Sequence, residues 1–143
     1  MHKLKNIIRK NKLGALVFWR PDELVMTCGY LPLWGLSFLV YFENETPVLF
    51  VPELEPEDNL PVDVVVRKFP WGIIDCADPW AVLNGMIKGL FLEKKVQHLP
   101  VSFIKNVGAT SPCIMSGEQP PLPADLIDKL SFVYRSAIRH KLN

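Results

Sequence analysis

The sequence has few of the features by which membrane, secreted and metal-binding proteins are recognised. Its 143 residues include three cysteines, Cys28, Cys76 and Cys113, which are far apart and form no CxxC pair. A disulfide framework and a zinc site are therefore not expected. No apolar run reaches the roughly 20 residues needed to cross a bilayer. The basic start at residues 1–5 also lacks the apolar run that follows in a signal peptide. We predict a cytoplasmic protein that has no membrane partner.

An excess of charge of either sign is missing as well. Sixteen basic and fifteen acidic residues give a formal net charge of +1. Nucleic-acid-binding proteins depend on basic patches to neutralise phosphates, so this balance predicts no nucleic-acid partner. Apolar residues make up 49% of the chain and charged residues 22%, which is typical of a globular domain rather than a disordered segment. The length predicts one such domain.

The motifs of common catalytic sites are also absent. The sequence contains no GxGxxG or GxxxxGK[ST] loop for phosphate and no GxSxG nucleophile turn. Its three histidines, His2, His98 and His140, are widely separated and form no HxxxH pair. We therefore predict no catalytic residue, no metal ligand and no cofactor in this chain.

One dense cluster of acids occurs at residues 53–58, where Glu53, Glu55, Glu57 and Asp58 place four carboxylates within six positions. Such oxygens could bind a hard cation. Acids also suit a solvated helix start, where they interact favourably with the helix dipole. Because the spacing differs from that of a calcium loop, we interpret the cluster as a solvated loop or helix start.

The hydrophobic pattern alternates between helices and strands. Residues 13–19 form a nearly continuous apolar run, which is typical of a strand covered on both faces. Asp78 and Pro79 fit the cap and first position of the clearest helix. The predicted order is helix from Leu4, strand 13–19, helix from Pro21 to about Met26, hairpin 36–42 and 47–51, strand 62–69, helix from Pro79 with an apolar stripe to Phe91, strand 95–101, helix near Leu126 and strand 132–137. This order predicts an α/β fold with a mixed β-sheet of five to six strands and helices on both faces.

The segment 28–36 places a tyrosine and a tryptophan between glycines and a proline. Tyr30 and Trp34 lie outside any clear helical or strand period, with Leu33 between them. Large aromatic side chains on a loop usually fold back onto the core. They can also present a rigid apolar surface to a ligand or a partner chain. Composition leaves both interpretations open.

The order of these segments resembles the N-terminal domain of the creatinase/prolidase family. Residues 13–18, followed by 20–24 and 26–30, are similar to that domain's "aDALLV" strand and its "xxENIxYLTGY" segment. The hairpin and residues 47–55 resemble the family's "pvLlvPxxE" ending. From 62 to 130 the resemblance is one of element order. Residues 137–143 resemble the "lRxxKsxxE" helix that opens the family's catalytic domain. Arg20–Glu23 and Cys28 depart from the usual pattern, which places asparagine and threonine there.

The resemblance implies a creatinase N-terminal fold with a ribonuclease H-like motif, spanning residues 1–137. Residues 138–143 would then begin a linker helix to a C-terminal catalytic domain that is not in this sequence. In the family that domain carries the chemistry and holds two divalent ions (Mn, Zn or Co), or none in creatinase-like members. The family motif for those ligands, two aspartates, a histidine and two glutamates, is not found here.

By this resemblance the chain is the non-catalytic N-terminal domain of a metal-dependent Xaa-Pro peptidase, either aminopeptidase or dipeptidase, or of a creatinase-like hydrolase. Its implied partners are its own catalytic domain and a second copy in a homodimer. Tyr30, Leu33 and Trp34 would form the rim of the neighbouring subunit's substrate pocket. The alternatives are a stand-alone ligand- or protein-binding module with the same fold and, last, an independent small enzyme.

Overall fold

A computed structural model describes residues 2–34 and 37–103 of the chain. The elements are α1 (His2–Lys10), β1 (Ala15–Phe18), α2 (Pro21–Cys28), β2 (Phe38–Tyr41), β3 (Val48–Pro52), a 3-10 turn (Glu57–Asn59), β4 (Val65–Phe69), α3 (Pro79–Glu93) and β5 (Val101–Phe103). The helix predicted near Leu126, the strand at 132–137 and the domain boundary at 137 lie outside the described residues. No helix in the described ranges combines the length and the apolar character needed to cross a membrane.

The strands form one mixed sheet in the order β4-β3-β2-β1-β5. β2 runs antiparallel to both of its neighbours, whereas β3 pairs with β4 and β1 with β5 in parallel. The α/β fold with a mixed sheet of five strands is thus confirmed. One consequence decides where a site can lie. The carboxyl ends of β1, β3, β4 and β5 meet at a single edge, called here the carboxyl edge, together with the amino end of β2.

Two apolar clusters cover the two faces of this sheet. Alternate strand residues point to opposite faces, so Val17 packs under α3 while its neighbour Leu16 packs under α1 and α2. From α3 the buried residues are Leu83, Ile87, Leu90 and Phe91, and from the opposite side they include Ile8, Leu24 and Tyr30. Helices therefore lie on both faces, as predicted. All four residues of β1 are buried because both faces are covered.

The helix ends follow the predicted local chemistry. The Asp78 carboxylate accepts a hydrogen bond of 3.0 Å from the backbone N–H of Ala81 and caps α3. Pro79 occupies the first turn, where no N–H is needed. Helix α2 ends at Gly29, which adopts the left-handed conformation (φ 71°) that glycine accepts at low cost. This turn directs the chain from α2 toward the carboxyl edge.

The prediction of a strand at residues 95–101 is wrong for residues 95–100, because β5 begins only at Val101. Residues 95–100 instead reverse the chain after α3. Lys95 takes a positive φ of 57°. The N–H of Val96 then donates to the carbonyl of Phe91 at 2.9 Å. The left-handed Lys95 and the bond from Val96 hold the backbone in a turn, so this stretch is unavailable for pairing in the sheet.

The strand predicted from Val62 also begins later, at Val65, where pairing with β3 starts. β4 pairs on one side only and is therefore an edge strand among the described elements. Two ion pairs fasten its outward residues to neighbouring elements. Lys68 contacts Glu57, and Arg67 lies 3.2 Å from Glu93.

Candidate functional site

The aromatic segment that the sequence singled out lies at the carboxyl edge. Its described part, residues 30–34, is called here the 30–34 loop. The loop follows the left-handed turn at Gly29 and precedes Ser37 and the amino end of β2. In open α/β sheets, ligands bind outside the carboxyl ends of the strands. The topology thus places the loop at the edge where this fold class forms its sites.

Tyr30 lies beneath the loop rather than on its surface. Its side chain is only 1% exposed, and its hydroxyl is 3.2 Å from the Oγ of the fully buried Ser37. Burial raises the pKa of Tyr30 above its ordinary value, so the phenol stays neutral at physiological pH. Of the predicted rim residues, Leu33 and Trp34 are partly exposed and Tyr30 is not. Leu31, which the prediction omitted, is 46% exposed.

The side chains of Glu55 and Asn59 hold the backbone of the 30–34 loop. The Glu55 Oε1 accepts a hydrogen bond from the Leu33 N–H at 2.9 Å and another from the Asn59 Nδ2 at 3.0 Å. Asn59 Nδ2 also donates to the Leu31 carbonyl at 2.9 Å. Glu55 is 2% exposed. The prediction of a solvated cluster is therefore wrong for Glu55, although Glu53, Glu57 and Asp58 are exposed. Glu55 is buried because it serves as the acceptor for an inward-facing loop amide.

A cleft of about 320 Å³ opens between the 30–34 loop and the segment that carries the 3-10 turn. Its lining residues are Leu31, Leu33, Pro56, Asp58 and Asn59. Three of them are apolar, and the other two offer carboxylate and amide oxygens. Such a lining suits a small apolar group better than a highly charged one.

A second aromatic residue meets the loop from across the edge. Trp71, just after β4, lies with its ring centroid 5.5 Å from that of Trp34 and with the ring planes at 48°. This distance lies within the range of favourable aromatic pairs. Trp71 lies in the segment 70–78, which also carries the exposed Ile73 and Ile74. Two loops that are distant in sequence thus share an aromatic contact.

A buried carboxyl group lies at the same edge, where β1 leads into α2. Glu23 is 8% exposed, and its Oε2 accepts a hydrogen bond of 3.3 Å from the backbone N–H of Arg20. Burial raises the pKa of Glu23 to about 7, although the nearby Arg20 opposes the shift. The Arg20 guanidinium is bound to the more exposed Asp22 at 2.7 Å. Glu23 therefore titrates close to neutral pH.

The chain offers little for metal binding or nucleophilic catalysis within the described residues. In ranges 2–34 and 37–103, no three His, Cys, Asp or Glu side chains are grouped so that they could hold a metal ion. His98 is exposed on the turn after α3. The Cys28 thiol contacts the Leu24 carbonyl at 3.3 Å, and burial raises the pKa of this thiol. A thiol of this kind is a poor nucleophile. Cys113 and His140 lie outside the described residues.

Sequence reasoning located the loop but missed the residues that hold it, namely Ser37, Glu55, Asn59 and Trp71. A signal for Glu55 was available. It is the final acid of the Pro52–Glu55 stretch that resembles the family's "PxxE" ending. Its place in a dense acidic cluster instead favoured a solvent-exposed interpretation. Asn59 and Trp71 carry no comparable signal, because their roles depend on which loops meet at the edge.

Comparison with known proteins gives no match to a family model and none to a curated protein. Solved structures that are similar to this chain include three from streptococci. A proline dipeptidase from Streptococcus agalactiae has 18% identity over 73% of this chain and 91% of its own, with a TM-score of 0.45. A proline dipeptidase from Streptococcus pneumoniae has 17% identity over 94% and 84%, with a TM-score of 0.49. A Creatine_N superfamily domain of a dipeptidase from Streptococcus thermophilus has 17% identity over 99% and 96%, with a TM-score of 0.47.

Two of these structures are proline dipeptidases, and the third is a domain of a dipeptidase.

Proposed function

We propose that this chain is the non-catalytic N-terminal domain of a metal-dependent Xaa-Pro peptidase or creatinase-like hydrolase, and that it serves dimerisation and the shaping of a substrate pocket. One observation carries the proposal. The 30–34 loop, which directly follows the stretch that resembles the family, lies at the carboxyl edge with Leu31, Leu33 and Trp34 exposed in part.

In this role the loop contributes shape rather than chemistry. Leu33 and Trp34 would form an apolar wall beside the pocket of a neighbouring subunit, excluding water and limiting the length of the peptide that fits. Tyr30 and Ser37 would support that wall from below. Bound divalent ions would polarise the scissile bond in the catalytic domain. We assign no ligand for them among the residues of this chain.

The partners follow from the same proposal. A loop that completes another subunit's pocket requires a homodimer, and the domain also requires its own catalytic domain. The exposed apolar residues at the edge, Leu31, Leu54, Ile73 and Ile74, are the kind of surface that such contacts cover.

The coding sequence downstream of Asn143 provides the first test. We expect it to continue into a domain with two aspartates, a histidine and two glutamates. This chain alone should then hydrolyse no Xaa-Pro dipeptide, with or without Mn²⁺, whereas the full polypeptide should do so. In the full polypeptide, Trp34→Ala should raise KM several-fold with a smaller change in kcat. Val62→Ala serves as the surface control, because Val62 is 93% exposed and precedes β4, at the opposite edge of the sheet. Hydrolysis by this chain alone, or a stop codon soon after Asn143, contradicts the proposal. A further domain without those ligands favours the creatinase-like hydrolase over the peptidase.

A stand-alone binding module is the second candidate, and the cleft of about 320 Å³ favours it. Its apolar lining with Asp58 and Asn59 would accept a small apolar ligand that carries a hydrogen-bond donor. A fragment screen followed by amide chemical shifts distinguishes the two candidates. Chemical-shift changes confined to residues 31–33 and 56–59 would support the binding module. If no fragment causes such changes, the binding module is excluded.

A further inference from the structure

We propose that Glu55 is a positioning residue that holds the 30–34 loop in its final shape before any partner or ligand arrives. Its carboxylate joins two segments that are distant in sequence. Leu33, whose N–H it accepts, lies 22 positions away. Asn59 in turn donates a hydrogen bond to the carbonyl of Leu31, and these two residues are 28 positions apart in the sequence. Both exposed ends of the loop's apolar surface are thus fastened to the same short segment.

The burial of Glu55 shows that the carboxylate has a structural use. Removing a carboxylate from water is costly unless hydrogen bonds compensate. Glu55 is nevertheless 2% exposed, while Glu53 and Glu57, two positions to either side, are exposed. Its Oε1 accepts two hydrogen bonds, and its carboxyl group also interacts with the buried Tyr30 hydroxyl. These polar contacts offset the cost of burial.

The loop needs such a partner because it lies outside the sheet. Backbone N–H and C=O groups that leave water must be paired. In a strand, the neighbouring strand supplies the pair. In the 30–34 loop, the side chains of Glu55 and Asn59 supply it to Leu33 and Leu31. Glu55 thus gives the Leu33 amide the acceptor that a neighbouring strand would otherwise supply.

The consequence for binding rests on the proposed function. A loop that is ordered in the free protein loses little conformational entropy when it contacts a partner. Glu55 would thereby lower the cost of presenting Leu31, Leu33 and Trp34. The positioning role itself concerns only this chain and is testable without a catalytic domain.

The test is amide hydrogen exchange on the chain and three variants. Glu55→Ala removes the acceptor, Glu55→Gln keeps a neutral oxygen in the same place, and Glu53→Ala is the control on an exposed neighbour. The amide of Val51 in β3 reports global opening. In Glu55→Ala we expect exchange at Leu33 to rise about tenfold or more beyond any rise at Val51, because the amide loses its Glu55 acceptor and a partly buried donor left without a hydrogen bond carries a cost of that size. Glu55→Gln should remain within about threefold of the wild type, and Glu53→Ala should match it.

Near-UV circular dichroism gives a second readout, because Trp34 contacts Trp71. The tryptophan signal should weaken in Glu55→Ala and persist in Glu55→Gln. Equal increases at Leu33 and Val51, or a Glu55→Gln variant that behaves like Glu55→Ala, would overturn the positioning role. If Glu55→Ala does not fold, the wild-type chain provides the test through the Leu33 amide, whose acceptor is Glu55. A Leu33 amide that shows no protection from exchange in the wild type overturns the proposal as well. None of these results depends on whether Xaa-Pro hydrolysis is found.

Discussion

The 30–34 loop and the segment 70–78 lie at the same edge of the sheet, and each contributes one tryptophan to a shared contact. They are held in different ways. The first is fastened by side chains 22 and 28 positions away and rests on the buried Tyr30. The second has local backbone bonds, such as Ile73 N–H to the Pro70 carbonyl at 3.3 Å, and leaves Ile74 fully exposed.

The two segments thus show two ways in which exposed apolar residues can be held by the rest of the structure. In the 30–34 loop, the exposed surface is supported by buried polar groups, so its shape is specified before contact. In segment 70–78, shape depends on short-range turns, which open at little cost. A surface intended for recognition benefits from the first arrangement. The following substitutions test whether the two loops differ as described.

The largest expected difference comes from truncating one residue in each loop. Tyr30→Ala should lower the free energy of unfolding by about 3–5 kcal/mol, as for other buried aromatic residues, because its ring is 1% exposed. Ile74→Ala should change it by less than about 0.5 kcal/mol, since that side chain is 100% exposed. Urea unfolding monitored by circular dichroism measures both values. Similar losses in the two variants would contradict the distinction between the loops.

The next effect concerns Glu23, on the helix that leads into the 30–34 loop. Its pKa is raised from 4.5 to about 7 in the folded chain, so the folded state binds its proton more tightly than the unfolded state. This contribution to stability is complete below about pH 4.5 and is lost as the pH rises to about 7. Glu23→Gln should therefore match the wild type near pH 4 and exceed its stability by about 2–3 kcal/mol at pH 8. Urea midpoints across this range test the prediction, with the exposed Glu53→Gln as control. Parallel pH profiles for wild type and Glu23→Gln would refute it.

The smallest effect compares the glycines that shape the two loops. Gly29 and Gly72 have positive φ angles of 71° and 88°, which disfavour any residue with a Cβ. Alanine at either position should cost about 1–2 kcal/mol. A Cβ at Gly29 meets nothing within 4 Å, whereas one at Gly72 lies 2.5 Å from Leu54 Cδ1. Gly72→Ala should therefore cost slightly more, and adding Leu54→Ala should remove that excess. Thermal unfolding of the three variants measures these differences. Equal losses of stability in Gly29→Ala and Gly72→Ala would show that the close approach to Leu54 has no effect.

Local chemistry was sufficient to predict most of the fold. A few neighbouring residues are enough to predict a strand, a turn or a helix start. Examples are the apolar run at 13–19, the polar turn at 43–46 and the cap at Asp78. The mixed sheet with helices on both faces follows from their order. The strand at 95–101 failed because a left-handed turn at Lys95 and a bond from Val96 to Phe91 depend on where α3 ends. Periodicity alone does not specify that end.

The candidate site was predictable only in part, for a related reason. The unusual composition of residues 28–36 indicated the loop, but its side chains are divided by tertiary contacts. Tyr30 lies under the loop because Ser37 offers a buried partner, and Glu55 is buried because the Leu33 amide needs an acceptor. A pattern of acids at 53–58 looks the same whether one of them faces inward or all face water.

The edge strand β4 has a consequence for how the chain behaves at high concentration. An uncovered strand edge can pair with the same edge of another molecule and nucleate fibrils. Here Arg67 and Lys68 place charge along the outer strand, and their ion pairs with Glu93 and Glu57 brace it against neighbouring elements. Charged residues on an edge oppose such strand addition. We therefore expect Arg67 and Lys68 to oppose polymerisation through this edge, which is unpaired among the described elements.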